Sequence, residues 1–175
     1  VASAAYISGQ RIFDSYYNKI HDYTSKSGVI FTEILTPEYV PERLTDRETL
    51  WNEVEHVERN NKAQLAYSFD IALQNELTLE ENIRLAKEFC QEQFVARGMI
   101  VDLAVHEGKS DNEEEPDNPH FHVLVPIRPF TEEGIWGNKQ RREYILDEDG
   151  NRVKDAKGKD IFNAVSTTGW NDPVL

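Results

Sequence analysis

Two runs of this chain, Met99-Ile100-Val101-Asp102-Leu103-Ala104-Val105-His106 and His120-Phe121-His122-Val123-Leu124-Val125-Pro126-Ile127, decide how it folds. Both read as strands, and side chains alternate between the two faces of a strand. In the second run Phe121, Val123 and Val125 share one face, while His120, His122 and Leu124 share the other. In the first run Val101, Leu103 and Val105 form the core set, which leaves Asp102, Ala104 and His106 opposite. If the acidic stretch between the runs joins them as a long hairpin, His106 lies at the loop end of one strand. His120 and His122 begin the other. The imidazoles then converge on one point of the sheet, on a face expected to be free of helices. Neutral imidazoles on a rigid sheet are good ligands for a divalent transition metal, and a set of three leaves coordination positions open for substrate. A His-X-His pair alone is commonly incidental. The third histidine on the same face, at the matching strand end, makes the pattern a candidate metal centre. His21 and His56 have no such partners, and His56 reads as a helix-surface residue.

Working outward, Ala66 to Leu73 alternates as a third strand. Phe69, Ile71 and Leu73 face the helices, which puts Ser68 and Asp70 on the histidine face. Asp70 is therefore a candidate to accept a ligand N–H and fix the ring. Asp102 is a weaker candidate on the same logic; the plain alternative for each is an acid facing solvent. Thr45-Asp46-Arg47-Glu48 reads as a capping box opening a helix with Leu50, Trp51, Val54 and Val57 on its apolar stripe. Thr78-Leu79-Glu80-Glu81 opens a second, with the stripe Leu79, Ile83, Ala86, Cys90 and Phe94, closed by Gly98. Val1 to Ser8 reads as a short Ala-rich helical piece ended by Gly9, followed by a polar, tyrosine-rich stretch through Ser27 and a strand from Gly28 to Leu35. Pro37 and Pro41 mark a loop. Past Pro129, Asp149-Gly150 and Lys157-Gly158 punctuate short β-segments as a hairpin meander. The sum is an α+β fold: a mainly antiparallel central sheet with helices packed on one face.

Composition bounds the function. The 175 residues fit a single domain spanning 1–175. No apolar run approaches the length needed to insert in a membrane, and no basic-then-apolar leader is visible. Cys90, the only cysteine, excludes an internal disulfide, suits a reducing cytoplasm and reads as a buried small hydrophobe. The net charge of −13 argues against a simple DNA-coating protein, because phosphate binding is driven by Lys and Arg. Much of that acid is local, in Asp111-Asn112-Glu113-Glu114-Glu115-Pro116-Asp117, and a bound divalent cation supplies positive charge where it counts.

The run Asn118-Pro119-His120-Phe121-His122-Val123-Leu124-Val125 resembles the metal motif of histidine-hydrophobe-histidine endonucleases, and more narrowly that of MobA/MobL plasmid mobilisation relaxases. Ser3-Ala4-Ala5-Tyr6-Ile7-Ser8, Asp46-Arg47-Glu48 with Leu50-Trp51-Asn52, Ile71-Ala72-Leu73 before Asn75-Glu76-Leu77, and Gly169-Trp170-Asn171 agree with that group, in order along the chain. The resemblance implies a palm-like relaxase fold and a divalent ion, Mn or Mg in function with Zn, Ni or Co also open, on His106, His120 and His122. It implies nicking of single-stranded DNA at a plasmid origin of transfer, through a covalent 5′-phosphotyrosine on Tyr6, with accessory mobilisation and coupling proteins as partners. A phenol of pKa about 10 needs a base or a cation-rich site to act at neutral pH. Tyr16, Tyr17 and Tyr23 are rivals to Tyr6 by residue type, and aromatic packing or base stacking is the plainer reading of Tyr16 and Tyr17. Two departures stand out. Ser68 occupies a position where the group often has a glutamate, which leaves Asp70 to carry the orienting or base role. Members also begin with an earlier strand and continue into further C-terminal helices, so the chain reads as a fragment.

For DNA contacts, Lys139, Arg141 and Arg142 form the dense basic cluster, directly after Trp136, and Arg11 lies near Tyr6. The alternative for the cluster is a solvated turn. Rival functions differ in what they require. A cupin-like oxygenase needs an all-β pattern, against which the two capped helices argue. A histidine-dependent nucleotidyl hydrolase would work without metal and without Tyr6. A non-catalytic or hydrolytic metal-binding single-stranded DNA module, of replication-initiator type, would form no covalent adduct.

Overall fold

The computed structural model describes residues 1–171 apart from 59, 61 and 113, so Glu113 of the acidic run lies outside the described residues. The chain divides into two compact units, Val1–Trp136 and Gly137–Leu175. In order, the first holds α1 (Ala2–Ser8), β1 (Arg11–Asp14), β2 (Lys19–Asp22), β3 (Val29–Leu35), α2 (Arg47–Val57), β4 (Ala66–Ala72), α3 (Leu79–Gln93), β5 (Val101–His106) and β6 (His120–Pro126). Its central sheet runs β3-β5-β6-β4, antiparallel at every pairing. The expected α+β class and antiparallel sheet are both present.

Strand parity holds residue by residue. Val101, Leu103, Val105, Phe121 and Val123 are all within 2% of full burial, and α3 covers their face, with Phe89 edge-on to Phe121 at 5.9 Å. The other face is not free of helices. Ala104 and Leu124 join Ala4 and Ala5 of α1 and Leu50, Trp51 and Val54 of α2 in one buried cluster. The cause is the sheet's own sequence: Ile34, Ala104 and Leu124 make that face apolar behind the histidines, and an apolar face must be covered. Asp102 sits under this cover, fully buried, where an open-face acid was expected.

Local chemistry explains the element ends. The expected capping box at Thr45 moves on by one residue: Asp46 is the cap, accepting from the Thr49 N–H at 2.8 Å, a contact worth about 1 kcal/mol. Thr45 instead ends a 3-10 turn, Glu42–Thr45, and Glu48 accepts from the Phe13 N–H at 2.8 Å. The box at Thr78 and Glu81 forms as expected. The tyrosine-rich stretch contains a hairpin that its alternation did not announce. β1 and β2 pair through Asp14↔Lys19, with Asn18 in the left-handed region at φ 49° to make the turn. Asp14, buried, accepts from the Tyr17 N–H at 3.0 Å and contacts His21 Nε2 at 3.3 Å.

Taken by itself, the second unit pairs β7 (Gln140–Tyr144) with β8 (Phe162–Ser166) and adds the bridges Leu146↔Arg152 and Lys154↔Asp160, the hairpin meander expected there. Among the described residues no helix is long and apolar enough to cross a membrane.

Candidate metal centre

Antiparallel register brings the histidines together: His106 stands opposite His120, and His122 stands opposite both Ala104 and Asp70. One nitrogen from each of His106, His120 and His122 lies within 4.8 Å of one from each of the others. The ring centroids are 4.5 to 5.2 Å apart.

Each ring is also held from outside. His122 Nδ1 lies 2.5 Å from Asp70 Oδ1, His120 Nδ1 lies 2.7 Å from the Asn118 carbonyl, and His106 Nε2 lies 2.7 Å from the Ile7 carbonyl. A carbonyl or carboxylate can only accept, so each contact fixes one N–H and leaves the other nitrogen of that ring with its lone pair. This is the outer support that metal-binding imidazoles require. Burial holds the His106 imidazole down to about 4, with lesser contributions from the Lys26 charge and the other two histidines, against the opposing effect of the Ile7 carbonyl. At neutral pH it is in its ligating form. Three imidazoles, each oriented by an outside acceptor, fit a divalent transition ion.

A cleft of about 600 Å³ opens beside the cluster, lined among others by Tyr6, Ile7, Tyr23, Ser68, Asp70 and His122. Tyr6 and Ile7 come from α1, which Gly9 ends in the left-handed conformation at φ 63°. Tyr6 is half exposed, at 51%, while Ile7 and Ser8 are buried. The Tyr6 ring meets Tyr23 edge-on at 5.3 Å, and Lys26 Nζ lies 3.8 Å over its centre. Lys26 also donates to the Tyr6 carbonyl at 3.1 Å. Consecutive carbonyls of α1 thus hold Lys26 and His106. Tyr16 and Tyr17 line a different pocket, with Glu55 and Glu58.

Asp102 has another job from the one expected. Arg47 Nε bridges both of its oxygens at 2.9 and 3.0 Å, and Trp51 Nε1 donates to it at 2.7 Å. Arg47 Nη1 reaches on to Gln10 Oε1 at 2.8 Å, between α1 and β1. Burial pushes the Asp102 carboxyl up, opposed by Arg47 and Trp51. This buried pair ties α2 to the histidine face, and Arg47 was missed by sequence reasoning. A signal existed: Arg47 stands on the apolar stripe of Leu50, Trp51 and Val54 at helical spacing, an odd place for a cation.

Arg11 lies exposed on β1, 3.6 Å from Asp22. In the second unit Arg141 pairs with Glu143 at 2.7 Å, Arg142 lies over the Phe162 ring at 4.6 Å, and the Lys139 carbonyl accepts from Thr167. Trp136 is not a free stacking platform: its indole donates to Glu53 at 3.0 Å and packs edge-on against Phe130.

Comparison with known proteins gives a consistent result. The model of the MobA/MobL family matches residues 1–173. The conjugal transfer protein TraA of Agrobacterium fabrum is 33% identical, over 98% of this chain and 16% of that protein. The probable mobilization protein MobA of Bifidobacterium longum is 34% identical, over 87% of this chain and 26% of that protein. A solved structure, "Molecular Basis of Vancomycin Resistance Transfer in Staphylococcus aureus", superposes with a TM-score of 0.72 at 37% identity, over 80% of this chain and 68% of that one. The chain thus spans about a sixth to a quarter of the length of these curated relatives.

Proposed function

Because the chain belongs to the MobA/MobL family, we propose that it is the nicking domain of a DNA relaxase, acting on single-stranded DNA at a plasmid origin of transfer in conjugative mobilisation. The observation that carries this reading is the shared cleft: Tyr6 and His122 line one opening, and His122 is clustered with the other two histidines. A hydrolytic nuclease needs the histidines alone; an exposed phenol facing the same space suits covalent transfer.

In the reaction the Tyr6 phenolic oxygen attacks the scissile phosphorus as its proton leaves. The bond from phosphorus to the 3′ oxygen breaks, and that oxygen takes up a proton. The 5′ phosphate stays esterified to Tyr6, so the phosphodiester energy is kept and a later 3′ hydroxyl can reverse the step. Tyr23 and Lys26 hold the phenol ring. Asp70 keeps His122 in one tautomer and orientation, and with Ser68 on the cleft wall it is the remaining carboxylate there. When bound at His106, His120 and His122, a divalent ion supplies positive charge against the phosphoryl oxygens. Mn or Mg is the working ion in this reading, with Zn, Ni or Co compatible with three imidazoles. Arg11, Lys139, Arg141 and Arg142 are assigned to the DNA backbone, accessory mobilisation and coupling proteins are the expected partners, and the donor cytoplasm is the site of action.

The test is a denaturing gel of the full-length protein with a labelled single-stranded origin oligonucleotide, run with Mn, with chelator, and with Tyr6→Phe. The expected result is a metal-dependent protein–DNA band absent from Tyr6→Phe. Cleavage with no shifted band would instead make the protein a hydrolytic nuclease, and binding without cleavage would make it a DNA-binding module.

A further inference from the structure

Lys26 follows the β1–β2 hairpin and reaches back to the end of α1. Its ammonium lies 3.8 Å over the Tyr6 ring and donates to the Tyr6 carbonyl at 3.1 Å. Neither contact neutralises its charge, and among the described residues no carboxylate pairs with it. In a chain of net charge −13, a half-buried lysine without a counter-ion is conspicuous. An ammonium carries three N–H donors, and the Tyr6 carbonyl takes one. A groove of about 280 Å³ opens on its other side, lined by Gly9, Lys26, Phe31 and Thr32 among others and distinct from the cleft that Tyr6 and His122 line.

We infer that Lys26 is a phosphate-contacting residue of this site, its ammonium pairing with the phosphate that Tyr6 attacks. The inference rests on the reading of Tyr6 given above. A partly dehydrated cation gains more from a phosphate than a surface lysine does, because less water screens the pair. The contact to the ring and the carbonyl fix where the charge sits, so Tyr6 and the phosphate are presented to each other by one side chain. Lysine suits this role because its charge is a point on a flexible stem, able to follow the phosphate as its geometry changes.

The test uses the full-length protein carrying Tyr6→Phe, which keeps the ring but blocks covalent transfer. Binding of the single-stranded origin oligonucleotide is measured by fluorescence anisotropy across a salt series, with Lys26, Lys26→Gln and Lys26→Arg. A second oligonucleotide carries an uncharged methylphosphonate at the nick. Lys26→Gln is expected to weaken binding about ten-fold and to lower the slope of log affinity against log salt by about 0.7, one phosphate contact on a single strand. Lys26→Arg should keep the slope. The methylphosphonate should weaken the Lys26 protein but add little in Lys26→Gln. An unchanged slope, or losses from lysine and phosphate that simply add, would overturn the assignment and leave Lys26 as a packing residue for Tyr6. The reading of Tyr6 is judged separately, by the covalent band of the protein with Tyr6 intact. A band with additive losses sinks only the Lys26 contact, whereas no band sinks the reading beneath it.

Discussion

Replacing Arg47 by Met isolates the buried ion pair beneath the histidine face. Arg47 is 7% exposed and Asp102 is fully buried, so the substitution leaves a carboxylate in the core with Trp51 as its remaining side-chain donor. Breaking one partner of such a pair costs about 3–5 kcal/mol, a large part of the roughly 5–15 kcal/mol that holds a domain together. At about 2–4 °C per kcal/mol for a chain of this size, Arg47→Met should melt on the order of 10 °C lower. The double variant Arg47→Met with Asp102→Asn removes the stranded charge but keeps an oxygen for the Trp51 N–H. It should recover at least half of the loss. The sign with pH follows from the Asp102 carboxyl, whose folded value burial already raises and which loses the opposing Arg47 charge in the variant. A raised acid binds its proton in the folded state first, so the deficit of Arg47→Met shrinks as pH falls toward the unfolded carboxylate range and grows above it. Urea unfolding at several pH values, followed by tryptophan fluorescence, reads all of this. A loss under 1 kcal/mol for Arg47→Met, or a double variant no more stable than the single, would refute the argument that stranded charge sets the cost.

Asp70→Ala should lower metal affinity about 10- to 100-fold by freeing the His122 ring, measured by competition with a chelator, while thermal stability without metal changes little because Asp70 is exposed. Gly108→Ala should disturb the same site from a distance. Gly108 has φ 58°, and a Cβ there would lie 1.8 Å from the Asn118 carbonyl oxygen, the group that orients His120; the readout is the same chelator competition, and unchanged affinity would refute the link. In the metal-free chain, His106 is held at about 4 against an ordinary value of 6.5. The unfolded chain therefore takes the proton first, so stability should be full above about pH 6.5 and fall as pH drops through the interval to about 4, a slope that His106→Gln should flatten in melts across that range.

Much of the site was legible because it rests on period-two alternation. Parity put His106, His120, His122 and Asp70 on one face, and the acidic stretch between the strands closes as the expected hairpin. The imidazole acceptors on α1 and before β6 were not legible, since the Ile7 and Asn118 carbonyls carry no side-chain signature. The hairpin of β1 and β2 escaped because its strands are only four residues each and begin or end on Arg11, Asp14, Lys19 and Asp22, so tertiary contacts rather than alternation define it. Parity also placed Asp102 on the correct face but could not say that α2 would bring Arg47 onto it. At Thr45 and Asp46, two adjacent residues could each cap, and the long-range bond from Phe13 to Glu48 removed the partner that favoured Thr45.

The closure of the loop between β5 and β6 has a consequence for how such sites can diversify. Asn118 donates to the Gly108 carbonyl at 2.8 Å, Ser110 donates to Asp117 at 3.0 Å, and Asn75 anchors the Asp117 carbonyl at 2.7 Å. These bonds seal the neck of the loop, so what lies beyond Ser110 is insulated from the imidazoles. Segments of other length or charge can be exchanged there as a cassette, retuning what the rim of the protein meets while the chemistry at its base stays as it is.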